Sequence, residues 1–206
     1  NYLIFTKNKT KILQSLSSKK KLLIFQEIFF FAGLLFLSYV RAHQPDIEGL
    51  EKFMDYGFIN SILRTKYLPP PDMWFAGGTI NYYWFGHLWA AVITKLSGIS
   101  SSLTYNLLLA TIMGLTLTGI FSLVSSLFKF LAIEKITKLG VAAGIISAIL
   151  VVFAGNFHAP FYVIKNGAKN YWYPDATRFI GYNPDIEDKT IHEFPQYSFV
   201  VSDLHA

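Results

Sequence analysis

Residues 103–131 read LTYNLLLATIMGLTLTGIFSLVSSLFKFL, 29 positions whose one charge, Lys129, stands near the far end. A helix rising about 1.5 Å per residue crosses a hydrocarbon core of about 30 Å with about 20 apolar residues, and this run exceeds that length. Residues 139–157 repeat the pattern with no charge in 19 positions, and residues 22–40 repeat it with one, Glu27. One such run fits a buried core helix. Three in 206 residues, separated by polar and aromatic loops, predict an all-α integral membrane protein with three transmembrane helices.

Composition agrees. The chain is 52% apolar and 17% aromatic, with 15% charged residues, where soluble domains carry about a quarter. Disordered, collagen-like and coiled-coil chains are excluded on that basis. No cysteine is present, which removes disulfide scaffolds and thiolate chemistry. Gly-rich phosphate loops, dinucleotide fingerprints and zinc-protease helices are also missing from the sequence.

Residues 84–98 are apolar but short, and they carry His87 and Lys95. Lysine placement decides their role, because cytoplasmic flanks collect Lys and Arg. Lys7, Lys9, Lys11, Lys19, Lys20 and Lys21 put the basic segment 1–21 inside, and Lys129, Lys135 and Lys138 put the loop 132–138 on the same side. Only three crossings (22–40, 103–131 and 139–157) satisfy both. The segment 84–98 is thus expected as a juxtamembrane helix at the outer surface, with Tyr82, Tyr83, Trp84 and Trp89 at headgroup level. The apolar run at 22–40 is long enough to span and no small-residue cleavage site follows it, so it is not a cleavable signal. The expected location is the plasma membrane, multi-pass, with the amino terminus cytoplasmic and outer loops at 41–83 and 158–206. Those loops hold 11 of the 13 acidic residues, so the net charge of +5 comes from the inner lysines and suits anionic lipid rather than nucleic acid.

The loops carry the candidate chemistry. In RAHQPDIEGLEKFMD (41–55), Pro45 suits a helix start, and Glu51 and Asp55 at i and i+4 share a helix face. Paired carboxylates can hold a divalent cation, or one can act as general base while the other orients it. Spacing alone favours the plainer alternative, a solvated surface helix with Glu51 or Asp55 paired to Lys52 or Arg64. LPPPDMWFAGG (68–78) predicts an extended polyproline segment followed by a sharp turn. Asn81, Tyr82, Tyr83, Trp84 and His87 offer ring faces and hydrogen-bonding tips to a sugar, and equally suit an interfacial aromatic belt. NYWYPD (170–175) is a second aromatic-acid cluster of the same ambiguous kind. In IHEFPQYSFVVSDLHA (191–206), His192, Glu193, Asp203 and His205 include ordinary Mg, Mn or Zn ligands without a diagnostic spacing.

The run EKFMDYGFINSILRTKYLPPPDMWFAGGTINYYWFGH (51–87), followed by HEFPQYSFVVSDLHA (192–206), resembles the bacterial and archaeal membrane-protein family named after its Tyr-Tyr-Tyr motif, over residues 41–206. The third tyrosine is Trp84 here, which keeps the ring and loses the hydroxyl. That family is similar in layout to the glycosyltransferase C superfamily. The resemblance implies a much longer protein of which this chain is the amino-terminal part, inactive alone. It also implies transfer of a sugar from a polyprenyl-phosphate donor on the extracytoplasmic side. It would make Asp55 the catalytic carboxylate with Glu51 as its partner, and Asp203 and His205 ligands of a Mg or Mn ion. Arg41 and Arg64 would grip the donor phosphate, with Asn81, Tyr82, Tyr83, Trp84, His87, His192 and Glu193 lining the substrate path. A lipid-linked precursor flippase and a non-catalytic scaffold are the competing expectations; a flippase would need more intramembrane charge than Glu27 and Lys129.

Overall fold

The computed structural model describes residues 2–131, 137–178, 180–182 and 184–204. Among them there are eight α-helices and no strand: α1 (Tyr2–Ser18), α2 (Lys20–His43), α3 (Lys52–Arg64), α4 (Phe85–Ser97), α5 (Ser101–Leu131), α6 (Thr137–Phe153), α7 (His158–Asn166) and α8 (Pro195–Val201). The helices α2 and α5 are each long and apolar enough to cross a membrane, and α6 with α7 adds a third crossing if that pair, bent by 59°, acts as one.

The axis of the bundle is α5, which packs against α2 on one side and α6 on the other, with α3 and α4 at its amino-terminal end. Glycine permits both long contacts. A Cβ added at Gly114 would lie 2.7 Å from the Phe30 carbonyl oxygen, and one at Gly33 would lie 2.6 Å from Leu117 Cδ1, so α2 and α5 touch nearly backbone to backbone. Across the bundle, Gly140 and Gly144 form a Gly-x-x-x-Gly stripe on α6, and a Cβ at Gly144 would lie 2.9 Å from the Phe121 carbonyl oxygen on α5. Lipid tails are as apolar as leucine, so helices in a bilayer associate through close packing of this kind rather than through the hydrophobic effect.

Burial is arranged accordingly. On α4 the buried positions are His87, Ala90, Ala91 and Thr94, while Phe85, Trp89, Val92, Ile93 and Leu96 are exposed. Polar groups face the protein and large apolar groups face outward, the reverse of a water-facing helix. On α5 both faces are apolar: Leu108, Leu109, Met113, Leu117 and Phe121 are buried together with Thr104 and Tyr105, and Leu103, Leu107, Leu115 and Leu127 are exposed. Contiguous apolar exposure on this scale marks a membrane surface.

Two local features differ from the sequence expectation, and a third, the proline run with its turn, follows it. The helix after the first span starts at Lys52 rather than at Pro45, because Gly49 and Leu50 at φ 76° and 46° turn the chain first. The proline run folds back as a closed turn: Asp72 Oδ1 accepts the Trp74 and Phe75 amides, the Asp72 amide donates to the Gly78 carbonyl, and the Ile80 amide donates to Pro70. Finally, α6 ends at Phe153, not at 157. There the chain runs against α8, and a Cβ at Gly155 would lie 2.9 Å from Phe194 Cε2.

Candidate functional site

The polar groups of the two long loops meet at the amino-terminal end of α5. Asp55, on the first turn of α3, is 1% exposed. His87 on α4 approaches Asp55 Oδ1 with Nε2 at 3.0 Å. The Leu204 amide, just beyond α8, donates to Oδ2 at 3.0 Å. The Tyr105 hydroxyl lies 3.4 Å from Oδ2 and 3.2 Å from the Ser202 carbonyl, sharing its proton between them. One carboxylate thus joins α3, α4, α5 and the end of the second loop. Isolated burial of a carboxylate is costly, and three donors offset that cost here.

Local sequence explains each contribution. Asp55 sits in the first turn of α3, where a negative side chain complements the helix dipole. Ser202 caps α8 in the left-handed region, at φ 62°, a conformation that non-glycine residues adopt at a cost of about 1–2 kcal/mol. That turn aims the Leu204 amide inward. Because an ionised carboxylate only accepts, His87 Nε2 carries the proton of the shared bond. His87 is 0% exposed, and its Nδ1 is buried with no hydrogen-bond partner among the described residues. Phe58 meets the imidazole edge-on, and the Tyr83 ring stacks over it at 6.4 Å.

Charge gathers around this carboxylate. The Tyr83 hydroxyl is pushed well above its ordinary pKa by burial, by its hydrogen bond with Tyr82 and by the negative charge of Glu51 and Asp55, so it stays a neutral donor. Burial lowers the Lys52 pKa, the nearby Arg41 charge lowers it further, and Asp203 pulls it back up. Arg41 is 8% exposed; its Nε donates to Asn106 Oδ1 at 2.8 Å and Nη2 to the Asp46 carbonyl at 3.1 Å.

Of the residues singled out from sequence, Arg41, Glu51, Asp55, Tyr83, His87 and Asp203 therefore share one neighbourhood. Within it, Asp55 and Asp203 are buried, whereas Glu51 is exposed at the cap of α3. His87 is fully buried. Tyr82 is exposed with its ring 3.9 Å from that of Tyr83; Asn81 is exposed, and Trp84 packs half-buried against the core. Arg64 is exposed in the last turn of α3, about 13 Å of helix beyond Asp55. His192 and Glu193 are exposed ahead of α8, the His192 amide donating to the Thr177 carbonyl. His205 lies outside the described residues. Among those described, no three His, Asp or Glu side chains converge as a metal site. The Asp55 oxygens already face N–H and O–H donors, so the groups in place do not form a cation cage and the chemistry below rests on protein groups. Sequence reasoning missed Tyr105, which reads as one more position of an apolar run; its signal was a lone phenol near the start of a span, three residues after the Ser100–Ser102 run.

Cavities lie toward either end of the α2–α5 pair. One of about 320 Å³ lies between α2, α6 and α8 and is lined by Leu37, Arg41, Gln44, Met113, Gln196 and Ser202 among others. Another, of about 470 Å³ on the opposite half of the bundle, is lined by Gln26, Glu27, Thr118 and Ser122, where Gln26 Nε2 donates to Ser122 Oγ at 2.6 Å.

Lipid-facing apolar helices with polar groups turned inward, around a buried acid–imidazole pair, define an all-helical integral membrane protein. The chain belongs to a family described as "Uncharacterized membrane protein (DUF2298)", whose model matches residues 2–206. No curated protein and no solved structure matches it.

Proposed function

We propose that this chain forms the site-bearing part of a membrane glycosyltransferase of the glycosyltransferase C type, which takes a sugar from a polyprenyl-phosphate donor on the extracytoplasmic side. One observation carries the reading: Asp55 of the first loop and the Asp203-Leu204 segment of the second are joined at a single buried carboxylate. A transferase needs two loops to converge on a protected polar centre, where water is excluded and electrostatics are strong.

In this reading Asp55 is a positioning residue. It fixes the His87 imidazole through Nε2, and Nδ1 is the atom that takes the proton from the acceptor hydroxyl once the Tyr82–Tyr83 pair swings aside. Glu51 and the neutral Tyr83 hydroxyl stand at the rim, where a sugar would pass. Arg41 and Lys52 supply the positive charge that a phosphate leaving group requires.

The test is sugar transfer by the full-length protein in liposomes, with labelled polyprenyl-phosphate hexoses as donors. Asp55→Asn and His87→Gln should each lower the rate by a factor of about 10²–10⁴ while the protein remains folded. Near-normal transfer by both variants would sink the reading. A scaffold reading is favoured by a different observation, that none of the cavities described above is lined by Asp55 or His87. It predicts no transfer by the wild-type protein, and variants whose one defect is an earlier melt.

A further inference from the structure

The cavity between α2, α6 and α8 is amphipathic in a directed way. Its deep wall is apolar and buried, with Leu37, Met113 and Val152 at 3%, 3% and 0% exposure. Its flank toward the bilayer carries Phe36, Val40, Phe153 and Val200, all exposed. At the polar end stands Arg41, whose guanidinium is more than nine-tenths buried yet lines the space. The two bonds it makes, to an amide oxygen and a backbone carbonyl, engage two of its five donors, and the Asp46 carboxylate supplies an opposite charge nearby without hydrogen-bonding to it. A buried cation is ordinarily paired. Gln44, Gln196 and Ser202 bring further polar groups to the same end.

We propose that this crevice binds a single-chain lipid phosphate, the phosphate on Arg41 and the chain leaving between Val40 and Val200 into the membrane. A guanidinium matches phosphate oxygens in bidentate fashion, and a lateral opening lets a chain longer than the cavity remain in lipid. The volume of about 320 Å³ accommodates a phosphate and the first units of a chain. The site adjoins the carboxylate cluster, since Ser202 lines the crevice while its carbonyl accepts from the same Tyr105 hydroxyl that reaches Asp55. That the chain is a polyprenyl chain rests on the transferase reading; the crevice and its charge do not.

Native mass spectrometry of the full-length protein in detergent, titrated with a polyprenyl phosphate, the neutral polyprenol and phosphatidylglycerol, tests this. Arg41→Gln should weaken the polyprenyl phosphate about tenfold or more and leave polyprenol binding unchanged. Val200→Trp, at an exposed site where folding is not at risk, should weaken both by filling the mouth. Phosphatidylglycerol should fail to displace the polyprenyl phosphate at equal concentration. Wild-type binding by Val200→Trp, wild-type phosphate binding by Arg41→Gln, or displacement by phosphatidylglycerol would each overturn the proposal. The two readings separate in one comparison. Lipid binding that follows these variants without any sugar transfer removes the transferase and keeps the crevice. Transfer that survives in protein whose crevice binds no lipid phosphate does the reverse.

Discussion

Removing the imidazole of His87 would leave Asp55, at 1% exposure, short of one of its three donors. Leaving a buried acceptor without its partner costs about 1–3 kcal/mol, more when it is charged. His87→Ala is therefore expected to lower the thermal unfolding midpoint of the purified protein, and His87→Gln, which keeps a donor, to recover part of the loss. In an Asp55→Asn background the same His87→Ala change should cost clearly less, because the pair is coupled. Equal losses in both backgrounds would mean that the two side chains do not act together. Asp55 was legible from sequence as a candidate because it stands four residues from Glu51 just after an apolar span. Its donors were not. Tyr105 and the Leu204 amide are 50 and 149 positions away, and no spacing rule reaches across such distances. The i, i+4 reading of Glu51 and Asp55 also implied a common face, yet one caps α3 in the open and the other is sealed, because the buried face of α3 begins at Asp55 and runs on through Phe58, Ile59 and Ile62 without reaching back to the cap.

At the level of elements, long apolar runs announced α2 and α5 plainly, and the 13-residue α4 stayed short, as its charge content implied. What the apolar runs hid was how they fit together. Gly33, Gly114, Gly140 and Gly144 were just further apolar positions in a hydropathy reading, although the Gly-x-x-x-Gly spacing at 140–144 was visible. Gly114→Val should force α2 from α5 and cost about 1–3 kcal/mol, as overpacking does. Gly119 on the same helix is the internal control, since a Cβ there meets nothing within 4 Å. Gly119→Ala should be neutral or slightly stabilising. Thermal melts of both variants check the pair of expectations, and equal destabilisation would show that the close contact does not matter.

For the whole molecule, the orientation we propose from the lysine pattern is one that chemical labelling can read. The chain has no cysteine, so single substitutions report without background. Lys66→Cys and Asp185→Cys should react with a membrane-impermeant maleimide on intact cells, and Lys11→Cys only after permeabilisation. Labelling of position 11 from outside would invert the topology and move the Asp55 cluster to the cytoplasm. The tie between Asp55 and Leu204 also bears on how the protein is made. At about 5–20 residues per second, the ribosome needs roughly 7–30 s to travel the 149 positions from one to the other. Throughout that interval the carboxylate lacks its last donor, and on the proposed topology the second loop must itself be exported before the bond can close. On that topology the site is the last thing this segment builds, and its closure records that every crossing before it was inserted the right way round.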